Sequence, residues 1–296
     1  MPTHWLGFSV LIAALLLVDL FVLQRRGRTA SVRGAWLWTA FLALLACGIA
    51  LWIGATSTRQ RGLEFLTGYL IEASLSIDNL FVFLLLFRSL RLDARQQRQV
   101  LLWGVLGAIV LRGALILAGT TLLAHFAWVE FVFGAILALA ALRLLLHPPG
   151  ASPPGGAIRW IETCCLRYAD GPRLALASLL LVIAAVEATD LLFAVDSIPA
   201  VLAVTRDPWI AFTSNIFAVL GLRSLYFAVA GLLDRFRNLH YALALILGFV
   251  AFKMVTGRWI PISTLVSLAV ILGILVVFFV FSRVFPKGAP APNPRP

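Results

Sequence analysis

Nine stretches of this chain are apolar enough and long enough to cross a bilayer, and they limit the fold more than any other feature. They run over about 5–23, 35–54, 62–87, 99–120, 127–147, 174–204, 208–232, 239–257 and 262–282. The hydrocarbon core of a membrane takes roughly 20 residues of α-helix, and a helix satisfies its own backbone groups there. Hydrophobic residues make up 61% of the 296 and charged residues only 12%, whereas soluble domains carry about 25% charged residues. A water-soluble fold is excluded. The expected class is all-α, a polytopic membrane protein of about nine transmembrane helices. The first stretch has no basic segment before it and no small-residue cleavage site after it, so it reads as a retained span rather than a signal peptide. No transit peptide is expected.

The net charge of +11 would suit nucleic acid if it formed one patch. Instead it alternates along the chain. Sixteen Lys and Arg fall in the 24–34, 88–98, 148–173 and 233–238 loops and in the tail, while the intervening loops hold only Arg59, Arg61, Arg206 and Arg258. The positive-inside rule makes the first set cytoplasmic. The expected location is the cell inner (plasma) membrane, multi-pass, with the N-terminus outside and the C-terminus cytoplasmic. The expected partners are the lipid bilayer and a metal-ion substrate; no nucleic acid is expected. Cys47 lies in a span, and Cys164 and Cys165 lie in a cytoplasmic loop where thiols stay reduced. That vicinal pair belongs to the amphipathic run "IRWIETCCLRYA", for which a place at the membrane surface is weighed against soft-metal binding. The preceding "HPPGASPPGG" reads as a linker and "PKGAPAPNPRP" as a disordered tail.

The spans contain a repeat. Offset by 118 residues, "EASLSIDNLFVFLLLFR" lies on "DLLFAVDSIPAVLAVTR", so that Glu72 meets Asp190, Asp78 meets Asp196 and Asn79 meets Ser197. Offsets of 111 and 110 pair Arg112 with Arg223 and Arg143 with Lys253. Three spans thus repeat, and because three is odd the second copy enters from the opposite side. An inverted repeat of three plus three helices is the architecture of secondary transporters, with the site near the midplane. The expected division is 1–61, two N-terminal helices; 62–147, the first repeat; 148–173, a cytoplasmic linker; 174–257, the inverted second repeat; 258–284, a final helix; and 285–296, the tail.

A carboxylate at the bilayer centre costs roughly 3 kcal/mol on insertion scales, yet Glu72, Asp78, Glu187, Asp190 and Asp196 all lie deep. They face two deep cations, Arg112 and Arg223, since Arg143 and Lys253 sit near span ends and reach the interface. Three carboxylates are therefore left needing protons or a cation. Glu187 and Asp190, at i and i+3, share a helix face. Pro199 removes a donor and is expected to loosen the turn holding Asp196 and Ser197. Carboxylate, amide and hydroxyl oxygens suit magnesium, calcium or manganese, whereas zinc and copper favour His and Cys. The expected metal-site residues are Glu72, Asp78, Asn79, Glu187, Asp190, Asp196 and Ser197, with Arg112 and Arg223 as charge partners. Asn215 is either a ligand or half of an interhelical hydrogen bond. Span depths place Glu72 and Asp190 at the midplane, Asp78 in the cytoplasmic half and Asp196 in the external half.

"GLEFLTGYLIEASLSIDNLFVFLLLF", "WGVLGAIVLRG", "VEATDLLFAVDSIPAVLAVTRDP", "FTSNIFAVLGLRSLYF" and "FKM" closely resemble the TerC family of bacterial membrane proteins in its Alx-like branch. The likeness runs from about residue 14 to 282. It implies a multi-spanning protein linked to tellurium resistance, with members that export manganese, and kinship with lysine-exporter transporters. It also carries acidic metal-site roles onto the seven residues above. The loop between the repeats is shorter and richer in Pro and Gly than is usual, and Ala251 stands where glycine is common.

The expected function is export of a divalent cation, manganese above others, through a carboxylate-lined midplane site, with proton exchange as a coupling to be tested. No permanently bound cofactor and no enzymatic activity are expected. A membrane scaffold and an oxyanion (tellurite-type) resistance protein are the alternatives. An intramembrane aspartyl protease is disfavoured because Asp78 follows Ile77 and Asp196 follows Val195, without the Tyr-Asp and Gly-x-Gly-Asp contexts of that class. Fusing alkaline phosphatase to the C-terminus should give an inactive reporter, and fusing green fluorescent protein a fluorescent one. The reverse pair of results would invert the orientation.

Overall fold

Short polar residues set the start of four of the helices. In the computed structural model, residues 7–8, 10–18, 32–89, 92–146, 172–229, 239–257 and 259–284 are described. Among them are nine helices and no strands. We number them α1 (10–18), α2 (Val32–Thr56), α3 (Arg59–Ser89), α4 (Ala94–His125), α5 (Val129–Leu146), α6 (Pro172–Leu202), α7 (Pro208–Val229), α8 (Leu239–Thr256) and α9 (Thr264–Val284). Thr58 Oγ1 accepts from the Arg61 amide at 3.2 Å to cap α3, and Ser263 Oγ accepts from Val266 at 3.3 Å to cap α9. Asp93 and Gln96 exchange backbone-to-side-chain hydrogen bonds of 2.7 and 2.9 Å at the start of α4, a capping box. Asp207 caps α7 through the Trp209 amide at 2.9 Å, with Pro208 as the first helical residue.

The chain is an all-α polytopic membrane protein. By length and composition alone, Arg33–Thr56, Gln96–His125 and Val129–Leu146 are long and apolar enough to cross a membrane; Tyr241–Thr256 and Thr264–Phe278 are shorter apolar stretches. The outward faces are as apolar as the inward ones. On α2, Ala35, Leu42, Ala46 and Ile53 are buried while Leu37, Leu44 and Leu51 are more than 70% exposed. Such a helix has lipid on one side and protein on the other.

The main packing contacts pair α5 with α8, α3 with α7, and α4 with α6. Exchanging the triplet α3–α4–α5 for α6–α7–α8 turns the α3–α7 contact into α6–α4 and returns α5–α8 to itself. These three main contacts are thus unchanged as a set by a two-fold exchange of the triplets. α2 packs on α3 and α7, and α9 on α3 and α8. Pro199 does not interrupt α6, contrary to the expected loosening; the helix runs on to Leu202, and Pro199 O accepts from the Ala203 amide at 2.9 Å. Its position in the last turn leaves little helix beyond it to disrupt.

Glycine sets the closest approach. A methyl group at Gly62 would collide with the Ala50 carbonyl of α2, whereas nothing lies within 4 Å of one at Gly48. Gly62→Ala should therefore lower stability by about 1–3 kcal/mol, and Gly48→Ala should be neutral or slightly stabilising. Unfolding of the purified protein in detergent, followed by circular dichroism, checks the pair.

Candidate functional site

Arg112 lies on α4 between Ala108 of one apolar cluster and Ile116 of another, and its side chain is fully buried. On α6, Asp190 likewise falls between Val186 and Ala194; on α7, Asn215 falls between Ala211 and Ile216. The polar residues thus occupy the seam between the two clusters. An ionised group there has no water to turn to and must be met by protein.

The guanidinium meets that demand with a fork of donors. Arg112 Nε donates to Asp190 Oδ2 at 3.0 Å and Nη2 to Oδ1 at 2.8 Å, a bidentate pair. Nη1 donates to Glu72 Oε1 on α3. The same nitrogen stands 3.5 Å from Ser197 Oγ and 3.4 Å from Asn215 Oδ1. Asn215 Nδ2 donates to the other Glu72 oxygen at 3.0 Å. Residues of four helices, α3, α4, α6 and α7, therefore converge on one guanidinium.

Glu187, one turn before Asp190 on α6, behaves differently. Both of its carboxylate oxygens are buried and neither has a hydrogen-bond partner. The carboxylate lies against α4 at Gly107, where any side chain would occupy its place. Ser76, one turn after Glu72 on α3, also has a buried hydroxyl without a partner. Both are buried polar groups that the network around Arg112 does not satisfy.

Of the residues expected from sequence, Glu72, Asp190, Ser197 and Arg112 are brought together, and Glu187 lies beside them on the face of α6. Asp196 is half-buried and shares none of the contacts to Arg112. The side chains of Asp78, Asn79 and Arg223 lie outside the described residues, as do Cys164 and Cys165. Among the described residues no group of three or more His, Cys, Asp or Glu side chains converges on a metal position; the carboxylates converge on Arg112 instead. Cys47 is exposed on α2.

Sequence reading gave Asn215 too little weight and passed over Glu64 and Glu130. Asn215 had a signal, a bare amide in an apolar run, and the structure makes it the bridge between Glu72 and Arg112. Glu64 and Glu130 belong to a separate network at one end of the bundle. There Thr205 donates to Glu64 at 2.8 Å, Arg61 pairs with Asp207 at 3.3 Å, and Arg206 pairs with Glu130. A cavity of about 490 Å³ lined by Glu130, Arg206, Lys253 and Met254 opens beside it. None of the residues around Arg112 lines that cavity.

Comparison with known proteins gives the family. The model of the integral membrane protein TerC family matches residues 57–289. The chain belongs to the TerC family. Relatives named Alx, described as candidate membrane-bound redox modulators, in Escherichia coli (strain K12) and Shigella flexneri are 41% identical over 95% of this chain and 94% of their own. An uncharacterized membrane protein of Myxococcus xanthus is 39% identical over 98% of this chain and 94% of its own. No solved structure matches. The TerC match covers all four helices that meet at Arg112.

The clamp makes a stability prediction in buffer free of divalent ions. Arg112→Ala should cost about 3–5 kcal/mol, because two buried carboxylates are left uncompensated. Arg112→Lys should cost less, keeping the charge but losing the fork. Asn215→Leu should cost about 1–3 kcal/mol by leaving a Glu72 oxygen unmet. Denaturation midpoints in detergent rank the three.

Proposed function

We propose that this TerC protein is a secondary transporter that exports a divalent cation, manganese being the best fit, through the carboxylates around Arg112. The observation that carries this reading is the charge imbalance. Among the described residues Glu72, Glu187 and Asp190 stand against one guanidinium, that of Arg112, and both Glu187 oxygens are buried without a partner. A structural ion-pair network would come closer to balance. The two negative charges left over match one divalent ion, or the protons that replace it on the return stroke.

The donor atoms set the class of ion. Glu72 and Asp190 carboxylates, the Asn215 amide oxygen and the Ser197 hydroxyl are hard oxygen ligands. His and Cys take no part in the contacts around Arg112. An oxyanion is a poorer fit, since three carboxylates repel it. In this reading Asp78 and Asn79 on α3 and Asp196 on α6 serve the ion on either side of the centre, Asp78 from the cytoplasmic half and Asp196 from the external half. Arg223 is the charge partner of the second repeat. The two triplets rock about the central residues, as the inverted arrangement allows.

Manganese content in cells lacking the protein, complemented with each variant, tests the proposal. Wild type should lower intracellular manganese, while Glu72→Gln, Asp190→Asn, Asp78→Asn and Asp196→Asn should each reduce export at least tenfold at equal expression. Manganese should also raise the unfolding temperature of the purified protein more than zinc does at matched free concentration. An intact phenotype in all four variants would favour a scaffold. Greater protection by zinc, removed by changing Cys164 and Cys165, would move the site to the loop.

A further inference from the structure

The arrangement around Arg112 has the form of a coordination shell. Five oxygens lie around its guanidinium: both of Asp190, one of Glu72, the Ser197 hydroxyl and the Asn215 carbonyl. They come from three helices and are supplied by the side-chain types that bind hard divalent ions. Such an ion takes six to eight oxygens at about 2.0–2.6 Å, while four of the five guanidinium contacts, those to Asp190, Ser197 and Asn215, run from 2.8 to 3.5 Å. The shell and the guanidinium have the same partners, so a cation entering this shell must displace Arg112.

We propose that Arg112 is a tethered competitor of the transported cation, and that Glu187 is the place it moves to when the cation binds. This rests on the cation-export reading above and adds the device that releases the ion. Three observations carry it. The guanidinium stands at the centre of the oxygens rather than at their edge. Glu187 lies at i−3 from Asp190, on the face of α6 that packs against α4, so a one-turn shift takes Arg112 from one carboxylate to the next. The Glu187 oxygens are buried with no partner, and Gly107 leaves the space in which they lie.

The charges close in the loaded arrangement. Glu72 and Asp190 neutralise the divalent ion, and Glu187 neutralises Arg112, so no charge is left over among these groups. When Arg112 swings back it supplies to Glu72 and Asp190 one of the two positive charges that the departing ion removes. The two negative charges then left over among the three carboxylates are met by the protons of the return stroke. Release therefore does not leave Glu72 and Asp190 both without a counter-charge in low dielectric, which would otherwise hold the ion too tightly to let it go. A transporter needs binding weak enough to reverse, and a competitor carried on the same scaffold provides that at fixed concentration.

The test is equilibrium binding of manganese chloride to purified protein in detergent, read by the electron paramagnetic resonance signal of free Mn²⁺, alongside export in cells. Arg112→Gln should bind manganese at least tenfold more tightly than wild type and export it more slowly. Its thermal stability, low in divalent-free buffer, should recover on adding manganese by more than the wild-type shift. Should Arg112→Gln not fold, Arg112→Lys should show the same direction with a smaller gain, because one ammonium cannot hold both carboxylates. Glu187→Gln should weaken binding about tenfold in the wild-type background and have no effect on top of Arg112→Gln, a non-additive pair. Weaker binding in Arg112→Gln or, where that does not fold, in Arg112→Lys would overturn the proposal, making the guanidinium a builder of the site. An equal Glu187→Gln loss in both backgrounds would overturn it by making Glu187 a direct ligand. Absence of manganese binding in wild type and variants alike would overturn the export reading itself, and the competitor with it.

Discussion

The bidentate bond between Arg112 and Asp190, extended to Glu72, is the contact on which the arrangement of the helices depends. Each partner would be intolerable alone in the seam where it lies, since a buried charge without a counter-charge costs several kcal/mol. Together they remove that cost, though a buried ion pair adds little net stability over an apolar core. What they add is register. A slide of one helix by a turn, about 5.4 Å, would part every hydrogen bond of the cluster, so α3, α4, α6 and α7 are held at one level.

The remainder of the molecule protects that alignment. Two apolar clusters close over the charged seam from either side, and Gly68 and Gly107 leave room there for the side chains of Ser214 and Glu187. The Asn215 amide, donating to Glu72 and accepting from Arg112, removes the last unmet oxygen of that carboxylate. Glu187 is the exception that the packing tolerates. It sits where Gly107 allows it to sit, and nothing nearby satisfies it. Stability alone does not account for such a group.

Much of this was legible in the residues. Span number and approximate boundaries could be read because a helix in lipid must be both long and apolar. Glu72 and Asp190 occupy equivalent places in the sequence repeat and were expected together, and both bind Arg112. Other features left no trace in a single sequence. On α2, Leu37 faces outward and Leu42 inward, yet both are leucines, and in a membrane hydrophobicity does not say which side faces protein. Pro199 suggested a loosened turn, but proximity to the helix end lets α6 continue past it. Asp196 matched Asp78 in the repeat, and that matching carries no information on whether it reaches the guanidinium. Asn215 was visible as a polar residue, but its partners come from helices far away in the chain, and only the packing of α7 on α3 identifies them.

Asp207 divides its two oxygens between separate tasks. Oδ1 accepts from the Trp209 amide, and Oδ2 faces Arg61 on α3. Loss of the second contact leaves the first intact, so the start of α7 stays capped whether or not Asp207 holds Arg61. The Arg61–Asp207 pair is solvent-accessible and worth at most about 1 kcal/mol, whereas an aspartate cap is worth about the same without needing α3 at all. The start of α7 is therefore fixed within its own segment, and its tie to α3 is carried separately, by Arg61 and by the Thr205–Glu64 hydrogen bond.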